Sequence, residues 1–260
     1  PLGRVENGVA LIRVQGVIAP KMNLLAEISG GTTLQSLSRQ LRQHVADPTV
    51  KTIILDVDSP GGSVVGLREF VTELQAGKSR KKIIAVANFT MASAAYWIAA
   101  QAHEIVAAPS ADIGSIGVLG LHIDRSARNE KLGLKHTLIK AGEFKGEGSD
   151  HFPLGDEAAA FLQSRVNEIY DHFVRAVAKG RGVSVSEVRN GFGEGRALGA
   201  EQAKRLGMVD RIDTMAGVLA RFGLSIDDAP PIRPRNTEIL RPNRSSKADQ
   251  MKRRLAILKA

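Results

Sequence analysis

The segment Thr52 to Val57 is short and almost continuously apolar. It is too short to span a membrane and too uniformly apolar for a strand with one wet face. It reads as a strand covered on both sides. It ends in Asp58-Ser59-Pro60-Gly61-Gly62-Ser63, a turn signal, after which Leu67, Phe70, Val71 and Leu74 share one helical face. Lys82 to Ala87 repeats the pattern and runs through Asn88-Phe89-Thr90 into an apolar helix expected over Met91 to Ala102. Doubly buried strands alternating with helices imply a mostly parallel sheet built from right-handed crossovers, and so an α/β fold.

The rest of the chain fits this frame. Val9 to Val14 reads as a first strand between Gly8 and Gly16, and Lys21 to Thr32 as a loop. Thr33 to Val45 places Leu34, Leu37, Leu41 and Val45 on one helical face, with Thr32 or Thr33 as cap and Asp47-Pro48 as terminator. Further strands are expected over Glu104 to Ala107, Gly117 to Ile123 and His136 to Lys140. A long helix is expected from Asp156 to about Lys179, with Leu162, Val166, Ile169, Phe173 and Val177 as its stripe. Short helices near Ser186 and Ala200, a strand at Met208 to Ile212 and a helix at Thr214 to Phe222 complete one domain, residues 1–223.

Charge separates that domain from the tail. From Ala229 to Ala260 there are nine Lys/Arg and two acids, whereas the preceding 228 residues carry 27 bases and 25 acids. The domain has no electrostatic footprint for nucleic acid, and contact with DNA is open only to the basic tail. Residues 224–260 are expected to be a flexible linker, extended over Asp227 to Ser246, with a short amphipathic helix over Lys247 to Ala260. There is no cysteine, which excludes disulfides, thiolate metal sites and a cysteine nucleophile. No stretch approaches the roughly 20 apolar residues of a membrane helix. A cytoplasmic protein is expected, with an upstream anchor left open because the chain begins at Pro1.

A serine hydroxyl becomes a nucleophile only beside a base and with backbone donors for the oxyanion. Ser93 stands where a buried strand gives way to an apolar helix, among the small residues Ala92, Ala94 and Ala95. A serine in this setting is more often a helix cap. Pro60-Gly61-Gly62 also follows a buried strand, and its glycines leave N–H groups uncovered, although a tight turn would need the same residues. Lys145 lies in the glycine-flanked Ala141-Gly142-Glu143-Phe144-Lys145-Gly146. Most lysines are solvated charges; a lysine base must lose its proton, which requires a confined apolar site.

Four motifs together are more specific than any one. Asp58-Ser59-Pro60-Gly61-Gly62, Met91-Ala92-Ser93-Ala94-Ala95-Tyr96, Gly114-Ser115-Ile116-Gly117-Val118 and Ile139-Lys140-Ala141-Gly142-Glu143-Phe144-Lys145 resemble the signal peptide peptidase A family. The likeness is closest to its phage head maturation (capsid assembly) proteases and covers about Val9 to Ile212. It implies a fold like that of Clp proteases and crotonases, with repeated ββα units wound into a spiral. It implies a Ser-Lys dyad, with Ser93 as nucleophile, Lys145 as base and Ser115 orienting the lysine amine. Gly61 or Gly62, with Ala94, would form the oxyanion hole. The two glycines that commoner cellular members carry after the serine are here Ala94 and Ala95, as in the phage type. The resemblance also implies protein or peptide substrates, scaffold and capsid proteins among them, in a host cytoplasm or procapsid interior. A ring-like homo-oligomer is implied too, since serine and lysine can come from adjacent protomers.

Other readings compete. The same chemistry could degrade cleaved signal peptides in a cell. A crotonase-like acyl-CoA enzyme would share the glycine-lined oxyanion hole, and a non-catalytic assembly protein could reuse the fold. His122, two residues before Asp124, is a candidate for a Ser-His-Asp triad, though an ordinary strand-end histidine explains it as well. The remaining histidines show no paired ligand spacing, so neither a metal nor a cofactor is expected.

Overall fold

The computed structural model describes residues 5–21 and 30–225. Most of the loop expected after Lys21, and the linker and helix expected after Asp227, lie outside these residues.

The main sheet has the order β1 (Val5–Glu6), β2 (Val9–Gln15), β5 (Thr52–Ser59), β6 (Lys82–Ala92), β7 (Glu104–Ala107) and β10 (Arg211–Ile212). All neighbours after the β1–β2 pair run parallel, as strands buried on both faces predict. A small second sheet pairs β3 (Ile18–Ala19) with β4 (Thr32–Thr33).

One face of the sheet presents Ile53, Leu55, Val57, Ile83 and Ala85 to a helical layer. That layer comprises α1 (Leu34–Ala46), α2 (Leu67–Lys78), α3 (Ala94–Ala99) and the C-terminal half of α5 (Asp156–Arg181). The opposite face, Val9, Ile54, Ile84, Val86 and Val106, is covered by Val218 and Leu219 of α8 (Met215–Ala220). Each of the valine, leucine and isoleucine side chains contributes about 1.5–3 kcal/mol on full burial. Thr33 caps α1 by accepting the Ser36 N–H at 3.1 Å, and the predicted face of α2 is buried at all four positions.

The strand β6 changes its neighbour on one side as it proceeds, while its other side stays with β5. Its first part pairs with β7, whereas Thr90, Met91 and Ala92 pair in parallel with β8 (Asp112–Gly114). The outer neighbour of β8 is the antiparallel β9 (Ala197–Gly199). The helix expected over Met91 to Ala102 is therefore shorter than predicted. Met91 and Ala92 are strand residues, and the apolar run alone could not tell one buried state from another.

Two expected strands are absent. Gly117 to Ile123 and His136 to Lys140 are irregular and largely exposed, and between them lies only α4 (Ser126–Lys131). Leu119 and Leu121 are 87% and 81% exposed. Their alternation is that of a half-buried strand, but among the described residues no strand pairs with them. The first half of α5 is likewise open: Phe161 and Leu162 are exposed, and only from Phe173 onward is the apolar stripe buried. Beyond α5 come the predicted short helices α6 (Val185–Gly191) and α7 (Ala200–Arg205).

Candidate active site

Ser93 occupies the junction between β6 and α3 with φ 52° and ψ −123°. A left-handed non-glycine residue costs about 1–3 kcal/mol and persists only when its surroundings hold it. Here the Ser93 N–H donates to the Gly114 carbonyl at 2.8 Å, and its own carbonyl accepts the Trp97 N–H at 2.9 Å. The kink ends the strand and turns the chain into a fully buried helix. Ala94 opens that helix, so its N–H is one that the helix cannot pair internally.

The register sets Ser115 beside Ser93. Ala92 pairs with Gly114 in parallel, on strands about 4.8 Å apart, and the residue just past each strand end is a serine. Ser115 is also left-handed, φ 50°, and its N–H donates to the Arg196 carbonyl at 2.9 Å. Both serines are half-buried.

The Gly61-Gly62 turn presses on Ser93 from the β5 side. A Cβ on Gly61 would lie 2.7 Å from Ser93 Cβ and 2.9 Å from Ala94 N, and φ at Gly61 is 99°. Only glycine fits. A Cβ on Gly62 would meet the Ile18 carbonyl oxygen at 2.1 Å, because Ile18 and Gly62 form a β-bridge. The two glycine amides differ. The Gly61 N–H donates to Ser59 Oγ at 3.1 Å, while the Gly61 carbonyl accepts the Ile18 N–H at 2.8 Å. In a planar trans peptide the following N–H, that of Gly62, points opposite to that carbonyl. It is therefore directed away from Ile18.

Lys145 is placed differently. It lies in an exposed turn within residues 141–148, its N–H donating to the Gly142 carbonyl at 3.1 Å. Within the described chain its amine makes no hydrogen bond to Ser93 or Ser115. The structure thus brings together Ser93, Ser115, Gly61, Gly62 and Ala94, and leaves Lys145 outside the group. His122 is half-buried with Nε2 unpartnered, and no hydrogen bond joins it to Ser93. Asp124 accepts instead from the Ser126 N–H at 2.8 Å, and the Ser126 side chain and backbone together hold its carboxyl below the usual range. Among the described residues no group of three or more His, Cys, Asp or Glu could hold a metal ion, and no helix is long and apolar enough to cross a membrane.

Sequence reasoning gave Ser59 no role. A signal was present: a serine shares the parity of Ile53, Leu55 and Val57 on a strand buried on both faces, and it is fully buried.

Comparison with known proteins agrees with this geometry. The model of peptidase family S49 matches residues 75–224. The chain is 31% identical over 209 residues to "Capsid assembly protease C" of Escherichia phage lambda, covering 80% of this chain and 47% of that protein. It is 32% identical over 213 residues to "Putative signal peptide peptidase SppA" of Enterococcus faecium (81% and 61%). It is 29% identical over 214 residues to "Protease 4" of Salmonella typhi (82% and 34%). The chain spans about half the length of the curated relatives it matches. A family model covering more than half of the chain, and a left-handed serine at a strand–helix junction pressed by a Gly-Gly turn, lead to one conclusion: this chain belongs to peptidase family S49, with the α/β fold class of Clp proteases and crotonases.

Proposed function

We propose that the chain is a serine endopeptidase in which Ser93 is the nucleophile and Lys145 the general base. The observation that carries this reading is the strained backbone of Ser93, held against Gly61 and beside Ser115. The neutral Lys145 amine takes the Ser93 proton as Oγ bonds to a peptide carbonyl carbon. The Gly62 and Ala94 N–H groups receive the oxyanion, and Ser115 orients the amine. Gly62 rather than Gly61 is the turn's donor, since the Gly61 N–H is already given to Ser59. Collapse of the adduct breaks the C–N bond, and the lysine ammonium protonates the leaving amine. Water, deprotonated by the same lysine, then hydrolyses the ester.

Because Lys145 is exposed and makes no hydrogen bond to Ser93 in its own chain, the lysine of a neighbouring copy completes the site. The exposed apolar residues Leu119, Leu121, Ile139 and Phe144, on the same part of the chain as Lys145, are what such a neighbour would cover. A closed ring gives every serine a partner lysine.

The substrate is a protein chain, and the likeness to a phage capsid assembly protease favours scaffold and capsid proteins of an assembling head. Comparable identity to a signal peptide peptidase supports a second reading, hydrolysis of cleaved signal peptides. The test is incubation of wild type and Ser93→Ala with phage scaffold protein and with a synthetic signal peptide, followed by N-terminal mapping of fragments. Wild type is expected to cut the scaffold protein and Ser93→Ala neither substrate. Equal cleavage by both proteins would refute the proposal.

A further inference from the structure

We infer that Ser59 is the positioning residue of the oxyanion-binding turn; the inference rests on the peptidase reading above. Ser59 is fully buried at the end of β5. Its hydroxyl donates to the Gly16 carbonyl at 2.6 Å and accepts the Gly61 N–H at 3.1 Å. A serine has one proton to donate, so donation to Gly16 fixes the rotor and aims a lone pair at Gly61.

The consequence lies in two successive peptide planes. Ser59 holds the Pro60–Gly61 plane through the Gly61 N–H. The Ile18 N–H holds the Gly61–Gly62 plane through the Gly61 carbonyl, and the Ser63 N–H returns to the Ile18 carbonyl at 2.8 Å. Gly61 has the φ freedom to rotate between these planes, so a turn of two glycines needs such external anchors. Of these three anchors, Ser59 is the one that acts through a side chain. Its bond to the Gly16 carbonyl also ties the turn to the end of β2, beside the backbone bond from the Gly16 N–H to the Asp58 carbonyl at 2.9 Å. The turn sits so close to Ser93 that small rotations of Gly61 move the Gly62 N–H relative to the nucleophile. Oxyanion donors act through fixed placement, and displacements near 1 Å are costly in rate.

Removing the hydroxyl takes a donor from the half-buried Gly16 carbonyl, leaves the buried Gly61 N–H without its acceptor and releases the first plane. Ser59→Ala is expected to lower kcat by about tenfold to a hundredfold, with KM for the same peptide changed by less than about threefold. Affinity for a peptide aldehyde should fall in step with kcat/KM, because the Ser93 oxygen bonds to the aldehyde carbon and the new oxyanion needs the same donors. Ser59→Cys keeps a weak donor and acceptor of similar size and should fall between wild type and Ser59→Ala. If Ser59→Ala is unfolded at the assay temperature, the cysteine variant decides by the same two readouts. Unchanged kcat, or equal losses of aldehyde and substrate affinity with kcat intact, would overturn the inference. A parallel Ser93→Ala control separates the failures. If it is inactive while Ser59→Ala runs at full speed, only the role of Ser59 falls. If it cleaves normally, the peptidase reading falls and Ser59 with it.

Discussion

At Ser93 the backbone itself is the informative feature. A serine with φ 52° is disfavoured, yet here it is fixed by bonds on both sides, from its N–H to Gly114 and from Trp97 to its carbonyl. Strain maintained by its surroundings is what a preorganised nucleophile needs. The side-chain-free Gly61 is part of that support. Gly61→Ala places a Cβ 2.7 Å from Ser93 Cβ at a φ that L-residues resist. It is expected to lower stability by about 1–3 kcal/mol and to abolish hydrolysis. Thermal unfolding and a peptide assay on the same sample check this; a fully active Gly61→Ala would show that the turn does not press on the nucleophile.

At the scale of elements, the end of α5 is pinned by one arginine. Arg181 donates through Nη1 and Nη2 to the Asp210 carboxylate and through Nε and Nη2 to the Gly207 carbonyl. Asp210 in turn accepts the Ile105 N–H at 2.7 Å, so helix, turn and β7 share one clamp. Burial pushes the Asp210 carboxyl up, but hydrogen bonds from Arg181 and Ile105 outweigh it and hold it below the usual range. A depressed carboxyl stabilises the fold above its unfolded value and loses that contribution as pH falls through its folded value. Thermal stability should therefore decline on acidification below the ordinary aspartate range, and less steeply in Arg181→Ala. That variant is expected to lose about 2 kcal/mol at neutral pH, a modest figure because Asp210 is partly open to solvent. Identical acid profiles for the two proteins would count against the clamp. The elements around it also show what sequence could reveal. β5, α1 and α2 were legible because their apolar periodicity is satisfied inside the chain. Gly117 to Ile123 misled because its alternation of Leu119, Leu121 and Ile123 finds no partner strand among the described residues. Ser93, Ser115 and the two glycines were legible as motifs. The β6–β8 register that sets the two serines side by side was not, since short paired strands carry no period of their own.

At the scale of the molecule, the chain divides between a finished half and an open one. The packed faces of the sheet are dry, whereas residues 119–162 expose leucine, isoleucine and phenylalanine side chains together with Lys145. Large apolar side chains left in water fit the proposed assembly, in which a neighbouring copy covers them. In the proposed assembly, Ser93 of one copy and Lys145 of another make one site. The most direct measurement dissociates Ser93→Ala and Lys145→Ala, mixes them, reassembles them and assays peptide hydrolysis. Each variant alone should be silent, and the mixture should recover activity in about one site in four, those where an intact serine meets an intact lysine. Full activity of Lys145→Ala alone, or silence of a mixture shown to have co-assembled, would contradict the account.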